Sequence, residues 1–215
     1  MNTPSQILTY LTHYPVYTLG PGKRLGIWLQ GCSLHCKGCM SQDTWDFDPK
    51  RAVDINALAE WVGDLFSSSR ADASPLDGLT VSGGEPFDQA EALLKLLRLV
   101  RSQSVRDILI FSGYNVRDLT ARYPEITELA TALVDGPFEL DHPTEAVWKG
   151  SGNQNLTLFH PHRTPEQTQR YLSWKAVTKG KLQLLNDGRQ AFIIGIPRQE
   201  DVQNIIKVGC RQHER

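Results

Sequence analysis

Short apolar segments alternate along this chain with segments of helical period, and this alternation limits the possible folds more than any other feature. The apolar segments are bounded by residues that favour turns, so we predict strands at Leu25 to Gln30, Leu79 to Ser82, Asp107 to Phe111 and near Ala132 to Val134. Strands separated by helices form parallel βα units. We therefore predict an α/β protein built on a largely parallel sheet.

Two of the intervening helices have clear starting signals. Asp54 is a good N-cap for a helix that runs to about Phe66, and Asp88 with Glu91 predicts a capping box at the start of the next helix. One face of each helix is apolar and is predicted to pack on the sheet. These faces are Ile55, Leu58, Trp61, Val62 and Leu65 in the first helix, and Leu93, Leu94, Leu96, Leu97 and Val100 in the second.

Residues suited to chemistry follow the predicted strands directly. They form four clusters, Cys32 to Cys39, Ser82 to Glu85, Ser112 to Tyr114 and Asp135 to Phe138. In parallel α/β folds the functional groups lie on loops after the carboxyl ends of strands. The sequence therefore predicts one site at that edge of the sheet.

The composition excludes several classes of protein. With 215 residues and a formal net charge of -1, the chain has room for one α/β domain with a small appendage, and it has no run of like charges. It contains no apolar stretch near the roughly 20 residues that cross a bilayer, and its first residues lack the pattern of a signal peptide. We expect a cytoplasmic protein that binds neither nucleic acid nor membranes.

Three of the four cysteines, Cys32, Cys36 and Cys39, lie close together on one predicted loop. This spacing is too tight for a disulfide framework and is typical of one metal centre. C-x-x-x-C-x-x-C supplies three ligands to a 4Fe-4S cubane and leaves one iron open, whereas ferredoxin clusters take four cysteines. An open iron is a site for a substrate.

The cysteine pattern also has plainer interpretations. A structural zinc ion would need His35 as its fourth ligand, although the second half-site that zinc usually takes is missing here. In a third interpretation the three cysteines are unrelated to one another and form no common site. Cys210 stands apart near the C-terminus and is predicted to be a free thiol.

The chain changes character after Phe159. Thr164 and Pro165 open a short predicted helix. Leu182 to Leu185 and Ala191 to Ile196 then flank Asn186, Asp187 and Gly188, which predicts a β-hairpin, and a last helix covers about Glu200 to Val208. We predict a core domain over residues 1–160 and a C-terminal extension over residues 161–215.

The sequence around the cysteines, GIWLQGCSLHCKGC, resembles the radical S-adenosylmethionine (SAM) superfamily, and within it the activating enzymes of glycyl-radical proteins. Among these it is most similar to the anaerobic ribonucleotide reductase activating proteins. The likeness also includes HYPVYTLGPG from His13, LTVSGGEP from Leu79, FSGY from Phe111, LVDGPF from Leu133 and WKGSGNQ from Trp148. It covers most of residues 10–155.

The resemblance implies a fold, two cofactors and a set of contacts. The fold would be a partial, open β/α barrel of the radical SAM type with a small C-terminal hairpin and helix extension. The open iron of a 4Fe-4S cluster on the three cysteines would bind SAM, and reduction of the cluster would yield a 5′-deoxyadenosyl radical. The implied SAM contacts are Gly38, Cys39 and Met40 on the adenine side, and Ser82, Gly83, Gly84 and Glu85 at the aminocarboxylate end.

The resemblance also implies partners. The radical would activate a glycyl-radical enzyme such as anaerobic ribonucleoside-triphosphate reductase, with flavodoxin or ferredoxin as reductant. A radical SAM synthase acting on a small molecule or peptide, and a non-enzymatic metal-binding module, are the alternatives.

Several other residues have both a functional and a structural interpretation. Tyr114 and Trp148 either shape a target pocket or pack in the core. Asp135 and Gly136 are more typical of a plain turn than of a SAM contact, and His160 and His162 of an exposed loop than of metal ligands.

Overall fold

A computed structural model describes residues 4–67, 75–103, 105–159, 163–177, 182–186, 191–197 and 201. Its centre is a seven-stranded sheet with the strand order β3-β1-β2-β4-β5-β6-β7. The strands are β1 (Gln6–Val16), β2 (Arg24–Leu29), β3 (Ala52–Asp54), β4 (Gly78–Gly83), β5 (Ile108–Phe111), β6 (Ala132–Asp135) and β7 (Asn155–Leu158). Strands β2, β4, β5 and β6 run parallel, and antiparallel strands extend the sheet on both sides.

Helices connect the parallel strands in the predicted alternation. They are α1 (Ile55–Ser67), α2 (Ala90–Ser102) and two short helices, α3 (Val116–Arg122) and α4 (Ile126–Leu129). After the sheet come α5 (Pro165–Lys175) and an antiparallel pair, β8 (Gln183–Asn186) and β9 (Ala191–Ile194). The α/β class, the largely parallel sheet and the C-terminal hairpin are thus confirmed. The barrel form stays a prediction.

The sheet is covered on both faces, because successive strand side chains point to opposite sides. On one face the strands pack against α1, α2 and α4 in the main core, which contains Ile27, Leu79, Val81, Ile108, Ile110 and Leu133. On the other face α5 and β9 cover the strands, in clusters that contain Leu109, Val134, Trp148, Tyr171 and Trp174, and Val16, Leu19 and Ile194. Burial on both faces explains why the parallel strands are almost continuously apolar.

The predicted face of α1 was wrong at Trp61. The buried residues of this helix are Ile55, Leu58, Ala59, Val62 and Gly63. Trp61 is 36% exposed and meets the Tyr14 ring in a T-shaped contact.

The capping box predicted at Asp88 and Glu91 was also wrong. A 3₁₀ turn, Pro86–Gln89, precedes α2, and its N-cap is Glu85, whose carboxylate accepts a hydrogen bond from the Phe87 N–H. Helix α2 itself follows Gln89 without a side-chain cap. Asp88 lies one residue before that N-cap position, and its carboxylate bonds to other loops instead.

Two other helix starts are confirmed. The Asp54 carboxylate accepts from the Ala57 N–H at 2.9 Å, and Thr164 forms a complete capping box with Gln167. The hairpin residues Asp187 and Gly188, the last predicted helix beyond Asp201, and His160, His162 and Cys210 lie outside the described residues. In the part of the chain that the structure describes, no helix is long and apolar enough to cross a membrane.

Candidate functional site

The carboxyl ends of β2, β4, β5 and β6 meet at one edge of the sheet, so the four predicted clusters lie on neighbouring loops. Backbone hydrogen bonds join these loops. The Gly84 N–H donates to Leu29 O at 2.9 Å and the Glu85 N–H to Gly31 O at 2.8 Å, while the Gly136 N–H donates to Tyr114 O at 3.2 Å. The edge is therefore one connected structure.

Gly83 and Gly84 allow β4 to pass unusually close to the end of β2. A β-carbon on Gly84 would lie 2.1 Å from Gly31 O, and one on Gly83, where φ is +109°, would lie 2.3 Å from Leu29 N. Both approaches are to backbone atoms, which have little freedom to move aside. Only glycine fits either position.

The cysteines lie on a loop of residues 31–45, here called the cysteine loop. Its ends are joined by the Gly31 N–H, which donates to Thr44 O at 2.7 Å, and the Cys32 N–H, which donates to Trp45 O at 2.9 Å. Within it, His35 and Gly38 have positive φ, 45° and 78°, so the chain turns sharply between the cysteines. A closed base and tight turns hold the three cysteines on one short loop.

All three thiols of this loop are free, with Cys32 buried and Cys36 and Cys39 half-buried. The Ser41 N–H donates to Cys39 Sγ at 3.4 Å. Burial raises the pKa of the Cys32 thiol, although the N–H groups of His35 and Leu34 act in the opposite direction. Backbone donors of this kind favour thiolates, the form in which cysteine binds metal.

This donor set fits a 4Fe-4S cluster with three protein ligands. Three thiols suit iron and sulfide, and no carboxylate lies between Cys32 and Cys39 to compete. The His35 ring stacks on Trp45, with centroids 4.7 Å apart. Among the described residues, no group of three or more His, Cys, Asp or Glu side chains is already arranged to hold a metal ion.

Glu85 lies at the centre of the edge and is only 1% exposed. Its Oε1 accepts from the Phe87 N–H at 2.9 Å and from the Ser112 hydroxyl at 2.8 Å, and its Oε2 accepts from the Gly113 N–H at 2.7 Å. Burial raises the pKa of Glu85 to about 7, although these three donors favour the ionised form. This carboxyl group therefore titrates near neutral pH.

Asp88 connects the cysteine loop to the loop after β5. It accepts from the Ser33 N–H, directly after Cys32, and from the Tyr114 hydroxyl. Sequence reasoning singled out Tyr114 but missed Ser33 and gave Asp88 the wrong role. The available signal was only that Ser33 adjoins a cysteine.

The remaining predicted residues occupy different environments. Met40 is 57% exposed on the cysteine loop. Trp148 is buried beside α5, where the Lys149 and Lys175 ammonium groups lie against its ring, so it is a packing residue. Asp135 is buried at the end of β6 and accepts from the Val116 N–H at 3.1 Å, and Gly136 has a φ of 107° typical of a turn.

The family model described as the 4Fe-4S single cluster domain matches residues 18–157. The chain belongs to this family. The match contains the whole cysteine loop, together with the loops after β4, β5 and β6. The three free thiols of the site therefore belong to a member of an iron–sulfur family.

Three curated relatives of the chain each carry the name anaerobic ribonucleoside-triphosphate reductase-activating protein. The protein of Escherichia coli is 30% identical over 153 residues, which is 68% of this chain and 96% of the relative. That of Enterobacteria phage T4 is 29% identical over 153 residues, 69% of this chain and 93% of the relative. That of Haemophilus influenzae is 29% identical over 157 residues, 71% of this chain and 99% of the relative.

These relatives place the chain among iron–sulfur activating enzymes. Their length is almost fully covered by about two thirds of this chain, and the family match ends at residue 157. Helix α5 and the β8–β9 hairpin lie beyond that match. On the N-terminal side, strand β1 also lies outside the match.

Proposed function

We propose that this chain reductively cleaves SAM at a 4Fe-4S cluster held by Cys32, Cys36 and Cys39, and thereby activates a glycyl-radical enzyme such as anaerobic ribonucleoside-triphosphate reductase. The observation that carries the proposal is the set of three free thiols on one loop of a 4Fe-4S family member. The names of the relatives support the choice of target. Flavodoxin or ferredoxin is the proposed electron donor.

When bound, the cluster and SAM supply the electron transfer that splits the sulfonium and yields a 5′-deoxyadenosyl radical. The chain supplies binding and orientation. Three thiolates leave one iron without a protein ligand, and the Ser41 N–H donates to Cys39 Sγ. The sheet would form the wall of a partial β/α barrel around these groups.

The proposed SAM contacts flank the cysteine loop on two sides. Gly38, Cys39 and Met40 would meet the adenine, for which the exposed Met40 thioether offers a soft apolar surface. Ser82, Gly83, Gly84 and Glu85 would meet the aminocarboxylate, because they end β4 directly beside the base of the cysteine loop. A Glu85 carboxylate near its pKa can accept from an ammonium group.

The test is anaerobic reconstitution with iron and sulfide, followed by dithionite reduction in the presence of SAM and chromatographic measurement of 5′-deoxyadenosine. We expect product from the wild type and none from Cys36→Ala. Cys210→Ala is the matched control, since it removes a cysteine outside the loop and is expected to retain the activity. A loaded wild-type cluster that forms no 5′-deoxyadenosine, with or without a candidate target, would disprove the reaction.

The part of the chain beyond the family match favours a second candidate, a radical SAM synthase acting on a small molecule or peptide. Helix α5 and β9 cover one face of the sheet, and Ile194 and Ile196 pack toward Trp28 and Phe111 at the ends of β2 and β5. Because α5 and β9 cover the sheet so near the site, a large target protein has less room to bind there. Transfer of deuterium from a deuterated reductase glycine into 5′-deoxyadenosine would support the activase and exclude the synthase.

A further inference from the structure

Three loops meet at the first residue after Cys32. The Ser33 N–H donates to Asp88 Oδ2 at 2.6 Å and the Ser33 hydroxyl to Asp88 Oδ1 at 3.0 Å. The Tyr114 hydroxyl donates to the same Asp88 Oδ1 at 2.8 Å and lies 3.1 Å from Ser33 Oγ. One carboxylate therefore ties the cysteine loop to the loops after β4 and β5.

Asp88 is well placed to act as a fixed support. It lies in the 3₁₀ turn that Pro86 begins, and its own N–H donates to Glu85 O at 3.1 Å. On the other side of Ser33, the Leu34 side chain covers Gly113, where a β-carbon would lie 2.3 Å from Leu34 Cδ1. The segment that follows Cys32 is thus held by a polar contact and an apolar one.

Within the described part of the chain, none of the ion pairs includes Asp88. A carboxylate that is hydrogen-bonded to the residue after a ligand lies close enough to a cluster to act on it electrostatically. Net charge and hydrogen bonding near the sulfurs are among the factors that set the reduction potential of such clusters.

We propose that Asp88 is a positioning residue for the cluster, which fixes the backbone after Cys32 and, through its negative charge, holds the reduction potential down. The inference rests on the proposed function only in that Cys32 binds the cluster. It requires nothing of SAM or of the target. Tyr114 braces Asp88 by donating to the same oxygen that Ser33 uses.

Three variants separate position from charge. Asp88→Asn keeps an acceptor for the Ser33 N–H but removes the charge, Asp88→Ala removes both, and Tyr114→Phe removes the brace and keeps the charge. Asp64→Asn, which removes an exposed acid from α1, is the matched control for overall charge. Circular dichroism of the apo proteins checks that each variant folds.

The readouts are iron and sulfide per chain, the electron paramagnetic resonance spectrum of the reduced cluster, and its midpoint potential in an anaerobic titration. We expect Asp88→Asn to keep its iron and shift the potential to more positive values. Asp88→Ala should shift it equally, change the spectrum and lose iron faster, whereas Tyr114→Phe should change the spectrum with little shift in potential. Asp64→Asn should match the wild type.

Wild-type potential and spectrum in both Asp88 variants would overturn the inference while leaving SAM cleavage unaffected. If the cluster responds to the Asp88 variants as described but the chain cleaves no SAM, the proposed reaction would fail and the positioning role of Asp88 would stand. A wild-type chain that takes up no cluster would overturn both.

Discussion

The two ends of the parallel strands β2, β4, β5 and β6 are built on opposite principles. At the amino ends the fully buried Arg24 donates to Asp107 Oδ1 at 3.0 Å, to Thr80 Oγ1 at 2.7 Å and to Leu79 O at 2.8 Å. Tyr171 of α5 donates to the same Asp107 oxygen at 2.6 Å. These charged and polar groups satisfy one another away from water.

At the carboxyl ends the polar groups are arranged around free ligands. The cysteine loop keeps its three thiols free, and Cys36, Cys39 and the Asp88 carboxylate are only half-buried. The amino ends of these strands, here called the closed end, join α5 to the sheet through buried contacts. The carboxyl ends, here called the open end, keep groups available for a cofactor. The comparison teaches that stability and chemistry are separated along the same strands, as in other parallel α/β proteins.

Replacement of Arg24, at the closed end, is expected to have the largest effect on the free energy of unfolding. Arg24→Met fills similar space but leaves the Asp107 charge buried without its cation, which costs about 4 kcal/mol of the free energy of unfolding. Urea denaturation of the apo protein measures it. Arg98→Met is the control, because the Arg98–Glu125 pair is 53% and 47% exposed and surface pairs contribute under about 1 kcal/mol. Equal losses would remove the distinction between buried and exposed pairs here.

Glu85 provides the matching test at the open end, through pH. Its pKa is about 7 in the folded chain against 4.5 for a free glutamate. The folded state therefore binds the proton more tightly, and the free energy of unfolding of the apo protein falls by about 3 kcal/mol as pH rises through this window. Urea denaturation at about pH 5 and about pH 8 measures the change.

Glu85→Gln cannot titrate, so its stability should lack this part of the pH dependence. The difference between the two pH profiles isolates Glu85 from the other acids. Parallel profiles would show that the buried carboxyl is not the group responsible.

Gly84→Ala tests how the open end is held together. The added β-carbon would overlap Gly31 O, and the resulting backbone shift costs about 2 kcal/mol. Because Gly31 begins the cysteine loop, we also expect a lower iron content after reconstitution. Gly152→Ala serves as control, since its nearest atoms would be 3.4 Å away. Full cluster uptake by Gly84→Ala would mean that this close approach does not position the loop.

The sequence predicted the open end better than the closed one. Cysteines and a Gly-Gly pair at strand ends are local patterns, and the topology of a parallel sheet is enough to bring them to one edge. The contacts among them were not predictable in the same way. Asp88 lies two residues before a leucine-rich helix and is a reasonable cap by its pattern, and only the position of Ser33 in space shows its other role.

The closed end depends on contacts between distant parts of the chain. Arg24 begins an apolar strand and Asp107 begins another, while Tyr171 lies in a helix whose pattern shows only modest amphipathicity. Their convergence spans more than sixty positions between Asp107 and Tyr171. Strand β1 was missed for a related reason, since most of its side chains are half-buried and its apolar alternation is weak.

Removal of one tyrosine hydroxyl at each end gives the smallest expected effects and compares the two ends directly. Tyr171→Phe removes one of the donors to the buried Asp107 carboxylate and should cost about 1 kcal/mol. Tyr114→Phe removes an equivalent donor to Asp88, but water can replace it at a half-buried carboxylate, so the loss should be smaller. Urea denaturation of the two apo variants side by side measures both. A Tyr114→Phe loss equal to or larger than that of Tyr171→Phe would mean that the open end depends on its hydrogen bonds for stability as much as the closed end does, and the separation of stability from chemistry would fail.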